Sequence, residues 1–204
     1  MPPLVGVLAL QGGFEAHERV LRRLGAGVRE VRTVADLDGL DALVIPGGES
    51  TTMTLGIERE GLAEPLRRLA RTGMPMLGSC AGLIMLDRDH LGIMDMRAQR
   101  NAFGRQLQSF ETDLNVRGLD GGLAHGDPAR VEHARDQDAR PLRAVFIRAP
   151  WIAEHGPDVE VLAVIDGHPV AARQGSVLAV AFHAELGEDD RLHRLLLQLI
   201  AARG

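Results

Sequence analysis

A single cysteine stands in a setting that suits a catalytic nucleophile. Cys80 lies within Gly78-Ser79-Cys80-Ala81-Gly82, directly after the apolar run Met74–Leu77 and before a second apolar stretch that predicts a helix. A nucleophile on a sharp strand-to-helix turn needs small neighbours, and the N-terminus of the following helix favours the thiolate. The pattern therefore predicts a nucleophile elbow. A buried structural cysteine in a glycine-rich packing turn would have the same local sequence.

A base and an orienting carboxylate follow another apolar run near the C-terminus. Residues 176–181 predict a strand, and His183 and Glu185 come directly after it. If the extended conformation persists, a period of two places both side chains on one side of the chain. His183 can then meet Cys80 while Glu185 orients the imidazole, as in a catalytic triad. The remaining histidines lack a comparable setting: they are His17, His90, His125, His133, His155, His168 and His193.

Paired glycines mark a third segment that could take part in the same chemistry. Ile45-Pro46-Gly47-Gly48-Glu49-Ser50-Thr51-Thr52 follows a predicted strand, and Ser50 or Thr51 is predicted to cap the next helix. If this loop faces the elbow, the backbone N–H groups of Gly48 and Ala81 form an oxyanion hole for a tetrahedral intermediate. A tight turn or a phosphate-binding nest is the alternative interpretation.

The basic residues exclude lysine-dependent chemistry and provide candidates for binding an anionic substrate. All 23 Lys+Arg residues are arginine, so the chain can form neither a GxxxxGK[ST] phosphate loop nor a lysine Schiff base. Arg100 and Arg148 are candidates for binding a substrate carboxylate. The excess of 28 acidic over 23 basic residues gives no electrostatic reason to bind nucleic acid or an anionic membrane.

Cysteine usage and hydropathy indicate the compartment. The lone Cys80 excludes an internal disulfide and a cysteine-rich zinc site, and it fits a reducing compartment. The sequence shows neither the basic start of a signal peptide nor an uninterrupted apolar stretch long enough to cross a membrane. We therefore expect a cytoplasmic protein.

One polar stretch stands apart from the rest. Asp120–Pro141 is rich in Gly, Asp, Arg and His and has little apolar content, which predicts a solvated surface excursion. It contains His125, Asp127 and His133, which could suggest a metal site. Their position in a polar excursion argues against one, and we expect no metal and no cofactor.

The elements that must position these groups predict an α/β fold. In the first half, short apolar runs such as Leu4–Leu10 alternate with amphipathic stretches, which indicates strands buried on both faces and covered by helices. The second half has strands joined by short turns at Asp166-Gly167 and Gln174-Gly175, which predicts antiparallel pairing, and then a final helix. We predict one domain over residues 1–204: a doubly wound, flavodoxin-like, mostly parallel sheet flanked by helices, with some antiparallel strands in the C-terminal half.

Taken together, these motifs resemble the class I, triad-type glutamine amidotransferases. The elbow cysteine, the Pro-Gly-Gly-Glu-Ser loop and the His-x-Glu pair are shared across that class. Further segments are similar to the family of glutaminase subunits of pyridoxal 5'-phosphate synthase, and the resemblance spans nearly the whole chain. These segments are Leu10–Gly12, Gly47–Met53, Gly78–Ile84, Arg100–Gln106, Ser109–Glu111, Phe146–Pro150 and Ala171–Gly175.

The resemblance implies a reaction, a substrate and a partner. It implies hydrolysis of L-glutamine to L-glutamate and ammonia by a triad of Cys80, His183 and Glu185. It also implies a partner, a lysine-bearing (β/α)₈-barrel synthase subunit that receives the ammonia through a tunnel and without which the glutaminase is weakly active. Two features depart from relatives: Ala184 stands where most have proline, and the 120–141 excursion is longer. The glutamine site implied by the family is Gly48, Glu49, Ser50, Arg100, Ile147 and Arg148.

Three other functions remain open from the sequence. Another triad amidotransferase, for example in histidine or nucleotide synthesis, would share the catalytic core but should lack the Arg100–Gln106 segment. A peptidase or stress-protein relative with a cysteine elbow would not release ammonia from glutamine. A flavodoxin-like binding or redox-sensing module would have no such hydrolytic activity at all.

Overall fold

The computed structural model describes residues 1–103, 109–119 and 140–203. In these residues a seven-stranded sheet is accompanied by two separate two-stranded sheets. The elements in chain order are β1 (Leu4–Leu8), α1 (Phe14–Arg23), β2 (Gly27–Val31), a 3₁₀ helix (Val34–Leu37), β3 (Ala42–Ile45), α2 (Ser50–Arg59), α3 (Ala63–Arg71), β4 (Met76–Ser79), α4 (Ala81–Leu86), β5 (Met96–Gln99), β6 (Ser109–Leu114), β7 (Leu142–Ile147), β8 (Trp151–His155), β9 (Glu160–Ile165), β10 (His168–Gln174), β11 (Val177–Val180) and α5 (Arg191–Ala201).

The central sheet has the strand order β2-β1-β3-β4-β11-β10-β9. The first five strands in that order run parallel to one another. Every residue of β3, β4 and β11 is buried, as expected of parallel strands covered on both faces. The predicted mostly parallel, flavodoxin-like α/β sheet is therefore confirmed.

Antiparallel pairing in the C-terminal half is confirmed as well. β9 and β10 form a hairpin through Asp166-Gly167, and β10 turns into β11 directly after Gln174. Two further antiparallel pairs, β5 with β8 and β6 with β7, lie outside the central sheet. The sequence did not predict β5 or β8, because their exposed polar residues hide the alternation typical of a strand.

The sheet topology places three chain segments at one edge. β3, β4 and β11 are neighbours and run parallel, so their carboxyl ends meet at the same edge of the sheet. Gly47 and Gly48 follow β3, Cys80 follows β4, and His183 follows β11. The three segments predicted to carry the chemistry are therefore brought together by the fold itself.

Two local predictions need correction, and others lie outside the described residues. The cap of α2 is Glu49, not Ser50 or Thr51, because its carboxylate accepts hydrogen bonds from the Thr51 and Thr52 amides. The predicted strand over residues 176–181 ends at Val180, so the chain does not remain extended to His183. The excursion at 120–139, with His125, Asp127 and His133, and residues 104–106 of the family segment all fall outside the described residues.

None of the helices in the described residues is long and apolar enough to cross a membrane. Those same residues contain no group of three or more His, Cys, Asp or Glu side chains arranged to hold a metal ion.

Candidate active site

Cys80 occupies a sharp turn between β4 and α4. Its backbone has φ 52° and ψ −106°, a sparsely populated conformation that surrounding structure must hold in place. The Cys80 N–H donates to the Val180 carbonyl at 2.8 Å, which ties the turn to the end of β11. This is the geometry of a nucleophile elbow.

The glycines on either side of Cys80 are required by close packing. A Cβ at Gly78 would lie 2.6 Å from the Gly82 carbonyl oxygen and 2.6 Å from Leu86 Cδ1. A Cβ at Gly82 would overlap the Ile45 carbonyl oxygen. The absence of side chains at these two positions lets α4 begin directly against β3 and β4, which is what makes the turn so sharp.

His183 links the cysteine to Glu185. Its Nδ1 lies 2.7 Å from Glu185 Oε1, and its ring lines the same cavity as Cys80, whose Sγ lies 3.9 Å from the Ile147 carbonyl oxygen. Because β11 has already ended, the His183–Glu185 pair is set by a turn, with the Leu186 N–H pointing back to the His183 carbonyl at 3.5 Å. The backbone N–H of His183 donates to the Val145 carbonyl at 2.9 Å, and this hydrogen bond anchors the turn to β7.

The electrostatics of the pair favour a charged imidazole. Burial opposes protonation of His183, but hydrogen bonds with Cys80 and Glu185 outweigh it and raise the pKa of His183 to about 10. Burial likewise disfavours ionisation of Glu185, yet its contacts with His17 and His183 hold its pKa well below the usual range. The two shifts act in the same direction, because each favours a positive imidazole beside a negative carboxylate.

The loop after β3 closes the site from the other side. A Cβ at Gly47 would lie 2.7 Å from His183 Cε1 and 3.3 Å from Cys80 Cβ, so this loop packs directly on both groups. The Gly47 carbonyl accepts a hydrogen bond from the Gly13 N–H at 3.1 Å. In a trans peptide the N–H of Gly48 must point the opposite way, away from Gly13. This leaves the Gly48 N–H unused by the Gly12–Gly13 turn.

Gln11 supports that loop, a role that the sequence did not reveal. Its Nε2 donates to the Glu49 carbonyl at 2.9 Å, and its side-chain amide fills the space where a Cβ at Gly48 would lie. The Leu10-Gln11-Gly12 segment contributed to the family resemblance, but none of its residue types is typical of a catalytic nucleophile, acid or base. Only the fold shows that Gln11 packs against the loop that carries the predicted oxyanion donor Gly48.

A cavity of about 300 Å³ opens in front of Cys80 and His183, a size suited to a small metabolite. Ile84, Asn101 and Pro150, which the sequence had not singled out, also line it. Glu185 is buried behind His183 instead of facing the cavity. The predicted site residues on the cavity wall are Gly48, Glu49, Ser50, Cys80, Ala81, Arg100, Ile147, Arg148 and His183.

Two arginines lie on the exposed side of this cavity. Arg100 Nη2 lies 3.0 Å from His90 Nε2, and His90 Nδ1 lies 2.7 Å from the buried Asp87 carboxylate. Arg148 makes no hydrogen bond or ion pair with any residue in the described ranges, and its backbone has φ 45°. A guanidinium beside a cavity with no partner of its own is suited to an anionic ligand.

Glu49 has a different environment from the one its place in the glutamine site suggests. Its carboxylate accepts hydrogen bonds from the Thr51 and Thr52 amides at 3.0 and 2.7 Å and from the Thr52 hydroxyl at 2.7 Å. Hydrogen bonds from the Thr52 hydroxyl and from the Thr52 and Thr51 amides lower the pKa of Glu49 to about 2. The side chain is thus mainly a helix cap that fixes the loop.

His17 and His193 lie closer to the predicted triad than the sequence indicates. The sequence gives neither a setting comparable to that of His183, yet His17 lies 3.2 Å from Glu185 and His193 contacts His17. Histidines on two amphipathic helices look like ordinary core positions in the sequence. Their proximity to Glu185 follows only from how α1 and α5 pack.

Family comparison agrees with this geometry. The SNO glutamine amidotransferase family matches residues 7–201. The chain belongs to this family. It is 49% identical over 207 residues to the pyridoxal 5'-phosphate synthase subunit PdxT of Mycolicibacterium vanbaalenii, covering 96% of each sequence. It is 45% identical over 203 residues to PdxT of Geobacillus thermodenitrificans, covering 96% of this chain and 94% of that one.

Two solved structures share the fold of this chain. A crystal structure of a glutamine amidotransferase superposes with a TM-score of 0.82 at 42% identity, covering 97% of this chain and 98% of the other. The structure of PurLQS from Thermotoga maritima gives a TM-score of 0.71 at 19% identity, covering 99% of both chains. The second likeness concerns the fold alone.

Proposed function

We propose that this chain is a glutaminase subunit of a pyridoxal 5'-phosphate synthase. It hydrolyses L-glutamine to L-glutamate and ammonia, with Cys80 as nucleophile, His183 as acid and base, and Glu185 as the group that orients His183. The observation that carries the proposal is that Cys80 and His183 share the wall of a cavity of about 300 Å³ while Glu185 Oε1 lies 2.7 Å from His183 Nδ1. The PdxT names of the relatives support the choice of synthase.

In the first half of the reaction, the Cys80 sulfur attacks the side-chain carboxamide carbon of glutamine. The carbonyl oxygen becomes an oxyanion, which the N–H groups of Gly48 and Ala81 stabilise; removing one such donor typically costs about 10² to 10³ in rate. As the C–N bond breaks, His183 gives its proton to the leaving nitrogen, and ammonia departs. A glutamyl thioester on Cys80 and a neutral His183 remain.

In the second half, water replaces ammonia. Once the sulfur is acylated, the hydrogen bond and charge of Cys80 no longer favour the protonated imidazole. His183 can therefore accept a proton from the attacking water, and a second oxyanion forms in the same hole. Its collapse releases glutamate and restores the cysteine sulfur beside a protonated His183. Glu185 stays ionised throughout and stabilises that imidazolium.

Recognition of glutamine is assigned to the cavity wall. Arg100 and Arg148 are the cations nearest to the α-carboxylate in this proposal, because both line the cavity beside Cys80. Gly48, Glu49, Ser50 and Ile147 form the rest of the glutamine site through the loop after β3 and the end of β7. A charge-assisted hydrogen bond to a carboxylate contributes about 1.5–3 kcal/mol.

The synthase chemistry requires a second protein. Condensing sugar phosphates through imines needs a lysine, and this chain has none. The proposed partner is a lysine-bearing (β/α)₈-barrel synthase subunit that takes up the ammonia. We place the complex in the cytoplasm, where the unpaired Cys80 stays reduced.

The test is formation of pyridoxal 5'-phosphate by this chain mixed with a cognate synthase subunit, with either glutamine or an ammonium salt as nitrogen source. The wild-type mixture should use both sources. Cys80→Ala should use only ammonium, and Ser176→Ala, at the far end of β11, should behave as wild type. Product from ammonium but none from glutamine in the wild-type mixture would refute the proposal.

A further inference from the structure

Two buried histidines lie behind Glu185, and the proposed mechanism leaves them without a role. His17 on α1 and His193 on α5 are each 0% exposed. His17 Nε2 lies 3.2 Å from Glu185 Oε2, and His17 Nδ1 lies 2.9 Å from His193 Nε2. Neither histidine lines the cavity. They form a row of contacts that continues from the active site into the interior.

We propose that His17 is a positioning residue for the catalytic carboxylate, and that His193 orients His17. Together they hold Glu185 so that its other oxygen stays on His183. This inference rests on the proposed function, since it assigns a support to the carboxylate of that reaction. It concerns the chain's own hydrogen bonds and not the contacts with glutamine.

The two carboxylate oxygens of Glu185 face different groups. Oε1 receives His183 Nδ1 at 2.7 Å. Oε2 faces the Ser79 hydroxyl at 3.1 Å and His17 Nε2. The Ser79 hydroxyl has one proton, and it also has the Phe182 carbonyl within reach at 3.0 Å. His17 Nε2 approaches Oε2 to 3.2 Å in the buried interior, a close contact of imidazole and carboxylate whose angle falls short of an aligned hydrogen bond within the described residues.

The protonation states follow from what each group can accept. Glu185 is buried, but its contacts with His17 and His183 keep its pKa low, so it is a carboxylate with no proton to give. A carboxylate at 3.2 Å favours the tautomer of His17 whose proton lies on the facing nitrogen. The second nitrogen of His17 then faces His193.

The protonation of His193 determines the direction of its hydrogen bond with His17. Burial lowers the pKa of His193 to about 3; His17 and Arg23 act in the same direction, and Glu185 and Asp190 oppose them. The ring is therefore neutral and has one proton. Its Nδ1 has no hydrogen-bond partner in the part of the chain that the structure describes, and a buried N–H without a partner is rare. With His17 in the tautomer that faces Glu185 with its proton, His17 Nδ1 accepts from His193 Nε2, and both histidines direct a proton toward Glu185 in this proposal.

Two substitutions at position 17 separate positioning from packing. His17→Leu removes the donor to Glu185, and His17→Gln keeps an N–H at the corresponding place. In the complex with the synthase subunit, we expect His17→Leu to lower kcat by about tenfold, the rate equivalent of one pKa unit less stabilisation of the imidazolium. KM for glutamine should not change, because His17 does not touch the cavity. His17→Gln should recover most of kcat.

A second readout needs no glutamine. Alkylation of Cys80 by iodoacetamide, followed against pH, reports how strongly His183 stabilises the sulfur anion. If Glu185 is poorly held, it stabilises the imidazolium less, and the imidazolium in turn stabilises the sulfur anion less. The midpoint of the alkylation profile should therefore rise by about one pH unit in His17→Leu and stay at the wild-type pH in His17→Gln. Leu195→Ala, which removes a buried apolar side chain from the same helix as His193, should lower Tm and leave both readouts unchanged.

The possible results divide clearly. Equal losses of kcat and Tm in His17→Leu, His17→Gln and Leu195→Ala would mean that His17 only fills the core, and would overturn the inference. An unchanged kcat and alkylation profile in His17→Leu would overturn it as well. If the wild-type chain proves unable to hydrolyse glutamine, the proposed function fails, yet the alkylation profile still decides whether His17 holds the His183–Glu185 pair.

Discussion

The inner and outer walls of the cavity are built in different ways. On the inner side, Cys80 and Glu185 are 7% exposed each, and His183 lies between them. On the outer side, Arg100 and Arg148 are exposed and are carried by irregular chain after β5 and β7. The chemistry is thus positioned by a buried row of groups, and recognition by surface loops.

This difference teaches where precision is required. Proton transfer depends on fractions of an ångström, so its groups are fixed by hydrogen bonds that solvent cannot compete for. Binding a carboxylate depends on a charge within reach, which an exposed guanidinium supplies at less cost in desolvation. We therefore expect substitutions on the inner side to change kcat and those on the outer side to change KM.

The largest effect should come from the buried carboxylate. Glu185→Gln keeps the shape of the side chain but cannot stabilise the imidazolium, and we expect kcat to fall by about 10⁴-fold, as when a triad carboxylate becomes an amide. Steady-state ammonia release in the complex with the synthase subunit measures it. A loss of less than tenfold, with the fold intact, would show that the inner row does not carry the chemistry.

The same variant has a signature in the pH dependence of stability. The pKa of Glu185 in the fold lies below its ordinary value of 4.5, so its ionised form stabilises the native state above pH 4.5 and this contribution is lost as the pH falls below that value. Chemical denaturation of Cys80→Ala and Cys80→Ala/Glu185→Gln between pH 7 and pH 3 should show a steeper acid decline in the first. Parallel declines would contradict the assigned ionisation.

An intermediate effect should come from the loop that packs between the two walls. Gly47→Ala puts a methyl group 2.7 Å from His183 Cε1, which must displace the imidazole, and a shift of about 1 Å costs on the order of 10² in rate. Gly27→Ala on β2 is the control, because its methyl group would meet Leu4 Cδ1 at an ordinary 3.4 Å. Comparable activity of the two variants would disprove the assigned contact.

The smallest change in kcat should come from the outer wall. Arg100→Gln removes a charge proposed to bind the substrate carboxylate, and we expect KM for glutamine to rise by about tenfold or more with kcat nearly unchanged. Val34→Ala, at another exposed position, provides the baseline. If Arg100→Gln lowers kcat and leaves KM alone, the division between inner and outer walls is wrong.

The elbow and the parallel sheet could be predicted from the sequence because both are local patterns. Gly78 and Gly82 around Cys80 and the apolar runs of β1 and β3 leave few alternative structures. The proximity of His183 and Glu185 was predicted from the alternation of side chains along an extended strand. That reason is wrong, because the strand ends before His183 and a turn brings the two side chains together.

The support of the site could not be predicted in the same way. Gln11, His17 and His193 act on loops and side chains far away in sequence, and His17 and His193 are 176 residues apart. No spacing rule links such positions, because their contact depends on how helices pack on the completed sheet. Glu49 was missed as the α2 cap because serine and threonine, both present after it, are the commoner caps.

The central claim is that Cys80, activated by His183, attacks an amino-acid amide bound in this cavity. Its most direct test is covalent labelling by a glutamine analogue that has a chloroketone in place of the carboxamide, followed by intact-mass measurement. The chain has one cysteine, so the label is assigned without ambiguity. The account predicts a single adduct on Cys80 that glutamine prevents and that forms far more slowly in His183→Asn. Labelling that ignores both glutamine and the His183 substitution would contradict it.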